Sequence, residues 1–107
     1  MGSKVSWTEA QARELAENFG LRVTTTGKTG TLKQLMVGKL LVQHNSHTSG
    51  AAGWMVGDVR VGYKGEAMAV AAYAQSFVTY PPFDPRDSMG RAFNKIRAAQ
   101  PELRAAA

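Results

Sequence analysis

Thr8, Ala12, Leu15, Ala16 and Phe19, mostly apolar, recur at helical spacing near the start of the chain. Ser6-Trp7-Thr8-Glu9 precedes them as a capping-box pattern, in which a hydroxyl and a carboxylate satisfy free amides of the first turn. Gly20 follows at the position where a left-handed stop residue belongs. The pattern predicts a helix from about Ser6 to Phe19. Leu21 to Thr26 is rich in β-branched side chains, which lose rotamer freedom in a helix, and is predicted to be extended. Gly27-Lys28-Thr29-Gly30 then reads as a turn. Residues 31–45 fit two periods. Leu32, Leu35, Met36 and Leu40 suit a helix, whereas Leu32, Met36, Leu40 and Val42 fall on one face of a strand interrupted by Gly38. Periodicity leaves that stretch open.

The small polar run from Asn45 to Gly53 predicts a loop. Beyond it, Met55, Val59, Val61 and Tyr63 alternate with Trp54, Val56, Asp58 and Arg60, which predicts one strand ended by Gly62 to Gly65. Glu66 to Tyr80 carries Ala67, Val70, Ala71, Ala74, Phe77 and Val78 on one stripe and predicts a closely packed central helix, stopped by Pro81 and Pro82. Asp84-Pro85-Arg86-Asp87 offers an N-cap and a proline at the first helical position. The last helix has Met89, Ala92, Phe93, Ile96 and Ala99 inward, with Arg91, Asn94, Lys95 and Arg97 mostly outside, and Pro101 ends it. The predicted class is α+β: an N-terminal helix, a small antiparallel sheet in the middle of the chain, and two C-terminal helices. At 107 residues one domain is expected, with frayed ends at about 1–4 and 102–107.

Composition narrows the function classes. With no cysteine there is neither a disulfide framework nor a thiolate metal site, so a cytoplasmic location is expected. Met1-Gly2-Ser3-Lys4 leads into an amphipathic stretch rather than a long apolar run, and the charge-free run from Ala67 to Phe83 is short for a bilayer span and broken by Pro81-Pro82. No membrane partner is expected. Thirteen Lys and Arg against eight Asp and Glu give a net charge of +5, which favours a polyanionic partner. The distribution is more telling. Between Glu17 and Asp58 there is no acid, while Arg22, Lys28, Lys33 and Lys39 fall in that gap.

Candidate chemistry is incomplete wherever it is sought. Gly27-Lys28-Thr29-Gly30 lacks the upstream glycine of a phosphate-binding loop, that position being Arg22. It shares its glycine spacing with the GXXG loop of KH domains, but Val23 to Thr26 before it read as extended rather than helical. His44 and His47 are too few for a zinc site without distant carboxylates such as Asp58 or Glu66. Ser46, His47 and Asp58 lack the strand-turn-helix setting of a nucleophile. No catalytic residue, cofactor or metal is assigned. Trp54, if it shares a strand face with Asp58 and Arg60, offers an indole beside a guanidinium that can stack on an exposed base.

One resemblance bears on the same theme. Ala12 to Leu21, Ala-Arg-Glu-Leu-Ala-Glu-Asn-Phe-Gly-Leu, resembles the first helix and Gly-Leu exit of SAP-like helix-extended-helix modules, which bind DNA. The resemblance covers about a third of the chain; the linker is longer than usual and the second helix would contain Gly38. It implies a second helix reaching about Leu41.

The sequence therefore predicts a small basic nucleic-acid-binding protein, its partner DNA or RNA held mainly by the phosphate backbone. The site residues are Arg22, Lys28, Lys33, Lys39, Trp54 and Arg60, with Thr24 to Thr31 adding backbone amides. Arg91, Lys95 and Arg97 form a second basic strip for which simple solvation suffices. The alternative is a protein-binding module, a phage- or host-type inhibitor or a subunit of a larger complex, using Trp54, Tyr63 or Tyr80 as anchors and its basic face for an acidic partner.

Overall fold

The structure is a computed structural model that describes residues 7–29, 32–45, 53–76, 83, 84 and 86–99. Its element order is α1 (Glu9–Asn18), β1 (Val23–Thr29), β2 (Leu32–Val37), β3 (Leu40–Asn45), β4 (Trp54–Val56), β5 (Val59–Gly62), α2 (Lys64–Ala74) and α3 (Ser88–Ala99). The class is α+β, as the sequence predicts. The five strands form one antiparallel meander in the order β1-β2-β3-β4-β5.

Helix α1 starts two residues later than the capping pattern at Ser6 implies. Thr8 is the cap: its Oγ1 accepts from the Gln11 amide and Gln11 Oε1 accepts from the Thr8 amide, both at 3.1 Å. Two capping boxes overlap in this sequence, and the second one closes. Glu9 is thereby left on the helix surface, where it meets Arg13 at 3.3 Å and Lys64 of α2 at 3.1 Å. Partial burial opposes ionisation of Glu9, but the hydrogen bonds and charges of Lys64 and Arg13 outweigh it and hold the carboxyl below its ordinary value of 4.5. A depressed carboxyl stabilises the fold above its unfolded value and loses that contribution as pH falls through the folded one. The side chains are substantially solvated, so Glu9→Gln is expected to cost only about 0.5 kcal/mol at pH 7. In thermal melts the difference from wild type should vanish in acid; a difference that persists at pH 2 refutes the ion-pair account.

The middle of the chain departs most from expectation. Residues 32–45 are two strands joined by Gly38-Lys39, with Val37 opposite Leu40. Gly38 takes φ +59°, and among the described residues no non-glycine has positive φ, which fits a two-residue turn with glycine first. This removes the second helix that the SAP-like resemblance implies. The turn predicted over Gly27 to Gly30 is displaced: β1 continues through Gly27, Lys28 and Thr29 after a register shift at Thr25, while Gly30 lies outside the described residues. The single strand predicted from Trp54 is also corrected. Gly57-Asp58 folds it into the β4–β5 hairpin, with Val56 opposite Val59 and Gly57 at φ +61°.

One sheet face is built from Leu35, Val37, Leu40, Val42, Trp54, Val56 and Val61, all buried. Helix α2 lies on that face. It is buried on nearly all sides, at Ala67, Met68, Ala69, Val70, Ala71, Ala72 and Ala74, because α1 and α3 also pack against it. It begins at Lys64, so Gly65 belongs to the helix rather than to the end of a strand, and of its predicted extension residues 77–80 lie outside the described residues. Ring contacts run from Trp7 and Phe19 to Tyr73, then to Phe83 and Phe93, and tie the three helices together. Gln75 fastens α2 to the β2–β3 turn: its Nε2 donates to Val37 O at 2.6 Å and its Oε1 accepts from the Lys39 amide at 2.8 Å.

Helix α3 starts at Ser88 rather than at Asp84. Asp84 instead shapes the preceding turn, its Oδ1 accepting from the Arg86 amide at 2.9 Å. Met89, Ala92, Phe93 and Ile96 face inward as predicted, but Ala99 is exposed. Arg97, predicted outside, turns inward onto the end of α2.

Candidate functional site

Among the described residues strand β5 is an edge of the sheet, paired only with β4, and α3 packs beside it. In β5, Val59 and Arg60 point to opposite faces, as successive strand residues must, and Arg60 is exposed. On α3, Arg91 and Lys95 are four residues apart and so lie one above the other on the same side of the helix. The two elements enclose a cleft of about 560 Å³. Val59, Val61 and Ala92 supply its apolar lining, and Arg60, Arg91 and Lys95 its cations; Asp58 and Ser88 complete it.

Three cations and one carboxylate thus line the same concave surface, which concentrates positive potential more than the same charges would on a flat one. Among the described residues none of Arg60, Arg91 and Lys95 has a carboxylate within ion-pair distance. Arg91 is held by donating from its guanidinium to the Arg86 carbonyl oxygen. Arg86 itself is matched to Asp84 at 3.1 Å; its hydrogen bonds hold the Asp84 carboxyl below the ordinary range, and the carboxylate in turn raises the guanidinium. That pair is locally neutral and leaves the cleft charges unbalanced.

The cations expected from the sequence do not form one patch. Arg22 and Lys39 are exposed at the β2–β3 turn end of the sheet, where the Gly38 amide donates to Arg22 O at 2.8 Å. Lys33 is exposed near the other end of β2, opposite Lys28 in backbone register. Arg60 stands on the far edge, four strand spacings or roughly 19 Å from β1. Trp54 is 6% exposed. It stacks on His44 at 5.0 Å between ring centroids, with the Lys64 ammonium 5.4 Å from its ring. It does not share a face with Arg60, because the two-residue turn at Gly57-Asp58 inverts the alternation. An indole so enclosed supports the core.

His44 is likewise buried, and Ser46 and His47 lie outside the described residues, as does Tyr80. Among the described residues no group of three or more His, Asp or Glu is placed to hold a metal ion. No helix among them is long and apolar enough to cross a membrane. Arg91 and Lys95 were visible in the sequence as a helical pair of cations. What it did not reveal was that they line one cleft with Arg60, which depends on α3 lying along β5. No protein-family model, curated protein or solved structure matches this chain.

Proposed function

We propose that this protein binds nucleic acid through its phosphate backbone, with the cleft between β5 and α3 as the main contact. The observation that carries the reading is that Arg60, Arg91 and Lys95 line one cleft whose described lining holds one carboxylate, that of Asp58. Guanidinium groups match phosphate oxygens in fork geometry, and the lysine adds a point charge. The other exposed cations, Arg22, Lys33 and Lys39, contribute a diffuse field that favours encounter.

Three phosphate contacts set a measurable salt dependence. Each neutralised phosphate gives a slope of about −0.7 on a single strand and −0.9 on a duplex in a plot of log affinity against log salt, through counterion release. Affinity should therefore fall roughly twenty- to fortyfold between 50 and 200 mM salt. Fluorescence anisotropy with a labelled oligonucleotide measures this, and Arg91→Ala should flatten the slope by nearly one contact. Absence of binding at 50 mM salt refutes the proposal.

A second reading is supported by one feature, the position of the cleft along an edge strand. An extended acidic peptide could add to β5 by backbone pairing while Arg91 and Lys95 meet its carboxylates. Binding of a poly-glutamate peptide in preference to oligonucleotides would favour it.

A further inference from the structure

All three helices lie on one side of the sheet, and among the described residues the other face has no helix against it. Backbone register fixes what that face displays. Gln34 stands opposite Gln43, Gln43 opposite Met55, and Met55 opposite Arg60, so one row runs across β2, β3, β4 and β5 and ends at a cation of the cleft. An adjoining row places Met36 opposite Leu41. Met36, Leu41 and Met55 are only partly buried, and the described side chains of this face include no acid.

From this continuity we infer that the preferred ligand is single-stranded nucleic acid, its phosphates in the cleft and its bases laid over the open face of the sheet. The inference rests on the phosphate-binding reading of the cleft. A duplex keeps its base faces stacked inside and would set sugar and phosphate against Met36, Leu41 and Met55, whereas an unpaired strand offers base faces to them. Methionine is suited to such contact because its sulfur is polarizable and its chain adapts to different rings. Gln34 and Gln43 present amides that can meet base edges, although one donor of Gln43 is already given to Gly57 O at 2.9 Å. From Gln34 to Arg60 the row spans three strand spacings, roughly 14 Å, enough for more than one base.

The test compares mixed-sequence single strands of DNA and of RNA with a hairpin duplex of equal phosphate count, by anisotropy at 50 mM salt. At least one of the single strands is expected to bind tenfold or more tightly than the duplex. Leu41→Ser with Met55→Ser should weaken single-strand binding about tenfold while leaving duplex binding within twofold, with thermal melts used to confirm folding of the variant. Arg91→Glu with Lys95→Glu should abolish both. Equal affinity for single strands and duplex overturns the inference while the phosphate reading survives, and so does indifference of a folded double-serine variant. If no nucleic acid binds the wild-type protein, the phosphate reading itself fails.

Discussion

Replacing Gly65 with valine is expected to destabilise the fold by about 3 kcal/mol or more, lowering the urea midpoint by over about 1 M. A Cβ at this position would collide with Trp7 O and lie 2.7 Å from the Thr8 carbonyl carbon and 2.8 Å from that of Trp7. All three are backbone atoms, so no side chain can swing aside; the entry to α1 must move as a unit. That segment cannot move cheaply. Thr8 and Gln11 cap each other there, Glu9 reaches Lys64, and Trp7 packs edge-on against Tyr73 at 6.2 Å. Alanine is the informative intermediate. On an exposed helix it would gain up to about 1 kcal/mol over glycine, whereas here overpacking opposes that gain and a net loss of about 1–2 kcal/mol is expected. An alanine variant as stable as wild type would show that α1 and α2 do not approach so closely.

How much of this was legible in the sequence depended on the range of the interactions that decide each element. Helices α1 and α3 were readable because local rules govern them: periodicity, capping groups and glycine or proline at the ends. Even there the competition between Ser6 and Thr8 as cap was not decidable, since Ser6 to Glu9 and Thr8 to Gln11 are both complete capping boxes, two residues apart. The sheet was harder. An unbroken alternation from Trp54 to Tyr63 put Trp54, Asp58 and Arg60 on one face. A two-residue turn pairs Val56 with Val59, an even position with an odd one, and so reverses which residues face the core. The dipeptides Gly38-Lys39 and Gly57-Asp58, each between apolar runs, were the signals that could have found both turns.

The same reversal reshaped the candidate site. Trp54 went to the core, Arg60 to the opposite face, and the acid-free middle of the chain spread its cations over both ends of the sheet rather than over one surface. Charge counting along a chain locates positive residues but not their convergence, because antiparallel neighbours bring together residues far apart in sequence. Arg60 and Lys95 share a cleft although 35 positions separate them.

Arg97 illustrates the difference between a cation on a ligand-facing surface and one that holds the fold, and Arg97→Met is expected to cost about 3 kcal/mol. Its Nη2 donates to Ser76 O at 2.7 Å and Tyr73 O at 3.0 Å, and its Nε to Ala74 O at 3.3 Å. These carbonyls belong to the last turn of α2 and the residues after it, where intrahelical donors run out and partial negative charge accumulates. The guanidinium carbon also lies 4.4 Å from the centroid of the Phe93 ring. Charge-assisted hydrogen bonds contribute about 1.5–3 kcal/mol each, but Ser76 Oγ also serves Tyr73 O at 2.8 Å, so the three do not add fully. Lysine keeps the charge and loses the fork, placing Arg97→Lys at an intermediate loss of about 1–2 kcal/mol. Lys95, two residues away and exposed, provides the contrast: Lys95→Met should leave stability within about 0.5 kcal/mol while weakening oligonucleotide binding. Urea unfolding of the three variants measures the separation. If Arg97→Met proves as mild as Lys95→Met, the guanidinium does not anchor α2, and the strip from Arg91 to Arg97 is a single solvated surface.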